Sequence, residues 1–170
     1  ICRISTEMCA ELCRLLDGQV VENVKIFVQP VREHRFIAVF RGGDLSPDVS
    51  DSDPQQLGVT PKIIAASSPE AERMAGIANQ FVAQAKIILA EHLPANMLLL
   101  RGFSQRPHFP AMNEIYKLTP AAIASYPMYR GLARLVGMEA LETGTSIEDE
   151  FKILEQHYAN HDFFFLHVKG

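Results

Sequence analysis

From Met74 to Leu89 apolar side chains recur at helical spacing: Met74, Ile77, Ala78, Phe81, Val82, Ala85, Ile88 and Leu89. Ser67-Ser68-Pro69-Glu70 ahead of them supplies a serine cap, a proline for the first turn and an acid nearby. The run continues to about Glu91 and predicts a helix of roughly 23 residues, about 35 Å long at 1.5 Å per residue. A stripe of that length must be buried. Residues 24–28, 36–40 and 97–100 read as mostly buried strands, and the helix over 69–91 is expected to pack across one face of their sheet.

A second helix is expected over residues 5–16, capped by Ser5 or Thr6, with Met8, Leu12, Leu15 and Leu16 on its apolar face and Gly18 ending it. The connection over 29–35 reads as too long for a tight two-residue hairpin. Farther on, a short strand over 121–125 leads to a helix opened by Pro127 and closed by Gly137. A last helix starts at Ser146-Ile147-Glu148-Asp149, and a buried strand over 162–168 centres on Phe163-Phe164-Phe165. Strand, helix, helix, strand is the rhythm of an α/β sheet. The fold class is therefore read as α+β, a mixed β-sheet flanked by helices.

Hydrophobic residues make up 48% of the chain and charged residues 21%, which is ordinary for a folded domain. The net charge of −4 argues against a nucleic-acid surface, which shows a basic excess, although an anionic metabolite needs only a few arginines. No apolar stretch reaches the roughly 20 residues of a membrane span. Cys2, Cys9 and Cys13 fall near the N-terminus without further ligands at metal spacing, so they read as small apolar groups in a reducing, cytoplasmic protein. The start at Ile1-Cys2-Arg3-Ile4 lacks an initiator Met and a signal-peptide shape, and predicts a chain cut from something longer.

The residues that could carry chemistry sit at strand ends and in loops. Arg35 precedes one expected strand, Arg41 ends it before Gly42, and Arg101 ends another before Gly102. A guanidinium at a strand end can hold phosphate or carboxylate through paired hydrogen bonds, and a following glycine lets the backbone come close. A single such arginine reads equally well as a solvated side chain; two Arg-Gly strand ends together shift the reading toward anion binding. Residues 42–62 are rich in Gly, Asp, Ser, Pro and Gln and form a long loop, which in a compact domain is functional or disordered. Within it Asp48, Asp51 and Asp53 could bind a hard cation, act as a base or orient arginines, though such clusters are more often turn chemistry. Arg130 lies in Ser125-Tyr126-Pro127-Met128-Tyr129-Arg130-Gly131, between a strand and a helix, and reads equally as a surface arginine. His157 and His161 are four apart but straddle a helix end marked by Asn160, which disfavours a metal pair. His167 and Lys169 follow a buried strand, where α/β folds keep catalytic groups. No phosphate loop, paired CxxC or nucleophile elbow is present.

Six phrases in order resemble the archaeal-type cofactor-independent phosphoglycerate mutases, a branch of the alkaline phosphatase superfamily. They are Arg3-Ile4-Ser5-Thr6-Glu7; His34-Arg35-Phe36 with Phe40-Arg41-Gly42; and Leu45-Ser46 through Ser50-Asp51-Ser52-Asp53-Pro54. Then come Asn96-Met97-Leu98-Leu99-Leu100-Arg101-Gly102, Arg130-Gly131-Leu132-Ala133 through Gly137-Met138, and Phe163-Phe164-Phe165-Leu166-His167-Val168-Lys169.

The resemblance implies interconversion of 3-phosphoglycerate and 2-phosphoglycerate, in glycolysis and gluconeogenesis, by a serine nucleophile and two divalent metals, manganese or magnesium. It implies that residues 1–105 form an inserted substrate-binding domain and residues 106–170 a returning segment of the phosphatase-like core. Arg35, Arg41, Arg101, Arg130 and Lys169 would bind a small phosphorylated carboxylate, and Asp51 and Asp53 would move protons at the glycerate hydroxyls. The family's serine and metal ligands are expected outside these 170 residues, so no metal ligand is assigned and the chain alone is expected to be silent. A related phosphatase or phosphotransferase of the superfamily, or a non-catalytic anion-binding domain, are the other readings.

Overall fold

The computed structural model describes residues 4–168. The chain divides into two compact units, residues 1–105 and 106–170. The fold is α+β, and its antiparallel and parallel strands fall into two separate three-stranded sheets.

In the first unit, Ser5 caps helix α1 (Thr6–Leu16) by accepting the Met8 amide at 3.2 Å. The helix buries Cys9, Leu12, Cys13 and Leu16, one stripe at three- and four-residue spacing. Strands β1 (Val20–Val21), β2 (Val24–Arg32) and β3 (Arg35–Arg41) form an antiparallel sheet in that order. The β1–β2 turn is Glu22-Asn23, both with positive φ (47° and 66°), the geometry of a two-residue hairpin turn matched to strand twist. The sequence hid this hairpin because Glu-Asn lacks the usual glycine.

The expected long connection over 29–35 is corrected. Arg32 pairs with Arg35, so Glu33 and His34 alone make the turn, and a register shift at Pro30 to Arg32 absorbs the proline within β2. The Glu33 amide donates to Thr6 Oγ1 at 2.8 Å, tying the turn to α1.

Helix α2 (Glu72–Ile88), entered by a 3-10 turn at Pro69–Ala71, is shorter than expected because the helix gives way to turns after Ile88. It packs on the sheet face carrying Val24, Ile26 and Val28, with Ile77, Ala78, Phe81 and Ala85 fully buried. Phe81 meets Phe40 edge to face at 5.7 Å and stabilises the core by about 2–3 kcal/mol through burial. The opposite face leaves Lys25, Gln29, Ile37 and Val39 exposed.

The expected strand over 97–100 is also corrected. Leu98 and Leu100 are buried, but the segment joins no ladder. A loop side chain satisfies its backbone instead, as described below.

The second unit holds α3 (Met112–Tyr116), β4 (Pro120–Ala124), α4 (Pro127–Leu135), β5 (Glu139–Leu141), α5 (Ile147–His157) and β6 (Phe163–His167). Its sheet is parallel, in the order β5-β4-β6, and β4 is buried throughout. Helix α5 begins with a capping box: Ser146 Oγ accepts the Asp149 amide at 3.1 Å and Asp149 Oδ2 the Ser146 amide at 3.3 Å. Those contacts with Ser146 hold the Asp149 carboxyl below its usual range. The chain leaves β4 toward β5 on one side and reaches β6 on the other, so the strand order reverses at the C-terminal end of β4. Crevices at such points are where open α/β sheets bind ligands.

Candidate functional site

The loop over 42–68 contains neither helix nor ladder, yet it is pinned along its length. Ser52 is 1% exposed; its amide donates to the Leu100 carbonyl at 2.9 Å, and the Leu100 amide donates back to Ser52 Oγ at 2.8 Å. The Lys62 amide closes the loop onto the Ser52 carbonyl at 2.9 Å. Asn79, on α2, accepts the Ile64 amide at 3.0 Å and donates to its carbonyl at 2.8 Å. Apart from one isolated bridge between Val49 and Ala66, the segment satisfies its backbone through these side chains and through scattered backbone contacts.

This anchoring brings Asp51, Asp53 and Arg101 together. Asp51 Oδ1 accepts the Gly102 amide at 2.8 Å. Asp53 Oδ1 accepts the Gln55 amide at 2.8 Å, and Arg101 lies 3.5 Å from Asp53 Oδ2. The Arg101 side chain is 63% exposed against 15% for Asp53. A long pair whose cation is largely exposed contributes little stability, so the guanidinium can turn to an anion at small cost. Asp53, residues 54–59, Pro61, Leu99 and Arg101 line an open cleft of about 440 Å³.

Both Arg-Gly pairs have backbone reasons. Gly102 has φ +70°, and a Cβ on Gly42 would stand 2.7 Å from Val24 Cγ2.

The other two arginines of this unit stand apart. Arg35 and Arg41 occupy opposite ends of β3, about 20 Å apart by strand rise, and neither lines the cleft. Arg35 pairs with Glu33 at 3.0 Å, and the Arg41 guanidinium lies over the Phe27 ring at 4.9 Å. Three arginines read from the sequence as one anion-binding set therefore occupy separate places.

In the second unit Arg130 is half-buried and pairs with Glu142, which also lies 3.8 Å from Arg134. His167, at the end of β6, stacks on Tyr129 at 3.6 Å. His161 is nearly buried and contacts Glu139 at 3.1 Å and the His157 carbonyl at 3.3 Å, an internal network. Lys169 and Cys2 lie outside the described residues. Among the described residues no group of three or more His, Cys, Asp or Glu side chains could hold a metal ion.

Two residues that the sequence reading passed over carry much of this geometry. Ser52 is hidden in a polar loop among six other serines and aspartates over 42–62, and Glu150 in an acidic first turn; both are buried polar groups. The only sequence signal for either is a polar residue beside apolar neighbours, which does not announce burial.

Comparisons with known proteins agree with this fold. A family model described as 2,3-bisphosphoglycerate-independent phosphoglycerate mutase matches residues 1–96. A probable enzyme of that description from Thermosipho melanesiensis is 41% identical over 169 residues, 98% of this chain and 42% of that protein. Its counterpart from Deinococcus radiodurans is 42% identical over 175 residues, 98% of this chain and 43% of that protein. A solved cofactor-independent phosphoglycerate mutase from Thermoplasma acidophilum superposes with a TM-score of 0.71 at 28% identity, over 95% of this chain and 48% of that one. The PH0037 protein of Pyrococcus horikoshii gives a TM-score of 0.74 at 18% identity over 98% of this chain and 43% of that one, a likeness in fold alone. The chain spans about two fifths of the length of the curated relatives it matches.

Proposed function

The chain belongs to the 2,3-bisphosphoglycerate-independent phosphoglycerate mutase family, and from that premise we propose that it supplies the substrate-binding part of an enzyme interconverting 3-phosphoglycerate and 2-phosphoglycerate. Residues 1–105 are the substrate-binding domain in this reading, and residues 106–170 a returning segment of a phosphatase-like core. The whole protein is longer, acts in glycolysis and gluconeogenesis, and works in the cytoplasm. No described helix is long and apolar enough to cross a membrane.

One observation carries the reading: an arginine loosely held by a carboxylate at the rim of an open cleft, with a second carboxylate one residue from the loop's buried anchor. Arg101 turns from Asp53 to the substrate's phosphate or carboxylate, where its planar fork matches two oxygens. Asp51 holds the Gly102 backbone with one oxygen. Its other oxygen, without a bond among the described residues, takes and returns a proton at a glycerate hydroxyl, with Asp53 beside it. Arg35 and Arg41, at opposite ends of β3, and Arg130 and Lys169 of the second unit are read as further contacts to the same substrate.

The divalent metals of such enzymes stabilise phosphoryl charge and activate the nucleophile. The described residues do not fit a metal, as no ligand cluster forms among them, and no step here passes through one.

Calorimetric titration of the full-length protein with 3-phosphoglycerate tests the site. Arg101→Ala should weaken binding at least tenfold, and unchanged affinity would remove Arg101 from it. Equal binding of unrelated phosphate esters would instead favour a broader phosphotransferase.

A further inference from the structure

Arg130 Nε, Thr143 Oγ1, Glu150 Oε2 and His167 Nδ1 are buried atoms without a hydrogen-bond partner among the described residues. The topology of the second unit brings all four residues to the C-terminal edge of its parallel sheet. His167 ends β6 opposite Ala124, the last residue of β4. Thr143 stands two residues beyond β5, and Arg130 lies in the first turn of α4. Glu150 reaches the same edge from α5, where its Oε1 accepts the Ser125 amide at 3.2 Å.

Glu150 is only 2% exposed. A buried carboxyl group needs hydrogen-bond partners for its oxygens, and among the described residues only Oε1 has one. Its partner is the first amide after β4, at the turn that starts α4. That helix has no side-chain cap of its own: Tyr126 at the N-cap position supplies no capping hydrogen bond, and Pro127 at the first helical position donates none. Beside the Tyr126 carbonyl, which accepts the Tyr129 amide at 3.2 Å, Glu150 thus holds the entry of α4 from another element. Within the next turn Tyr129 stacks on His167 and Arg130 reaches Glu142, so a shift of the Ser125 amide moves both side chains along the edge.

We propose that Glu150 is a positioning residue: through the Ser125 amide it fixes the strand-to-helix turn and so aims Arg130 at the C-terminal edge of the sheet. This rests on the reading of Arg130 as a substrate contact. The carboxylate acts as a hydrogen-bond acceptor of fixed reach, and its charge is secondary.

A double-mutant cycle in the full-length enzyme, read as kcat and KM for 3-phosphoglycerate, tests it. Glu150→Gln keeps an oxygen for the Ser125 amide and should hold kcat/KM within threefold of wild type. Glu150→Asp draws that acceptor back by one methylene and should lower kcat/KM roughly tenfold, the scale on which small misplacements act. In an Arg130→Ala background the same aspartate substitution should cost less than about twofold, because the residue it acts through is gone. Additive losses, or a glutamine variant as impaired as the aspartate one, overturn the positioning role. If Arg130→Ala alone leaves kcat/KM unchanged, the substrate role of Arg130 fails and the proposal falls with it, a result separable from additivity. Should Glu150→Asp not fold, hydrogen exchange in Glu150→Gln decides: a Ser125 amide protected as in wild type supports the proposal, and one that exchanges freely with turnover intact overturns it.

Discussion

The hydroxyl of Ser52 accepts the Leu100 amide at 2.8 Å and lies 3.2 Å from the Leu100 carbonyl, so one side chain closes both backbone groups of a residue 48 positions away. That anchor, together with the Asp51 contact to the Gly102 amide, sets the loop carrying Asp51 and Asp53 against the segment carrying Arg101.

Ser52→Ala should therefore destabilise the protein by about 1–3 kcal/mol, the cost of leaving a buried amide without its acceptor. Urea unfolding followed by circular dichroism measures it. The variant should also raise KM, since the acids lose their register with Arg101; an effect on stability with kinetics intact would separate the anchor from the site.

Arginines and acids should divide the kinetic parameters between them. Arg101→Ala removes binding and should act mainly on KM. Asp53→Asn retains an oxygen for the Gln55 amide but loses the charge opposite Arg101, and if Asp53 moves protons kcat should fall on the order of a hundredfold. Neither change should lower the melting temperature by more than about 2 °C, because the pair is long and its guanidinium largely exposed. A large loss of stability in either would assign these residues to the fold instead.

The thiols of Cys9 and Cys13 lie 4.0 Å apart in the core. Burial, followed by the neighbouring Cys9, pushes the Cys13 thiol up from 9.0 to about 12, and burial raises Cys9 as well. Both stay protonated in the folded chain at pH values where the unfolded chain ionises. Their contribution to stability is complete below about pH 9 and is lost as pH rises toward 12. Denaturation midpoints measured from pH 8 to 11 should fall, and Cys9→Ala/Cys13→Ala should flatten that fall. Alkylation by iodoacetamide at pH 8 should require unfolding.

Elements with strong periodicity were legible in the sequence. The stripe from Met74 to Leu89, the cap at Ser5 and the box at Ser146 and Asp149 gave α2, α1 and α5 to within a few residues, because burial and capping are local in sequence. Hairpins were harder. Glu22-Asn23 and Glu33-His34 turn tightly without glycine, and Pro30 sits inside β2 where a register shift accommodates it. Residues 97–100 look like a strand because they are apolar, but their hydrogen bonds go to a serine that only the folded chain brings near. For the site, the grouping of Asp51, Asp53 and Arg101 follows from the family resemblance, because the acidic loop by itself reads as turn chemistry. The separation of Arg35 from Arg41 was legible too, since they flank the strand expected over 36–40, which β3 bears out.

The central claim is that these residues serve a phosphoglycerate mutase. The most direct measurement is conversion of 3-phosphoglycerate to 2-phosphoglycerate by the full-length protein carrying this chain, with manganese and without bisphosphoglycerate. The account predicts turnover by the full-length protein, a fall on the order of a hundredfold in Asp53→Asn, and none by residues 1–170 alone. Absence of turnover by the full-length protein, with phosphate esters hydrolysed instead, would contradict the assignment.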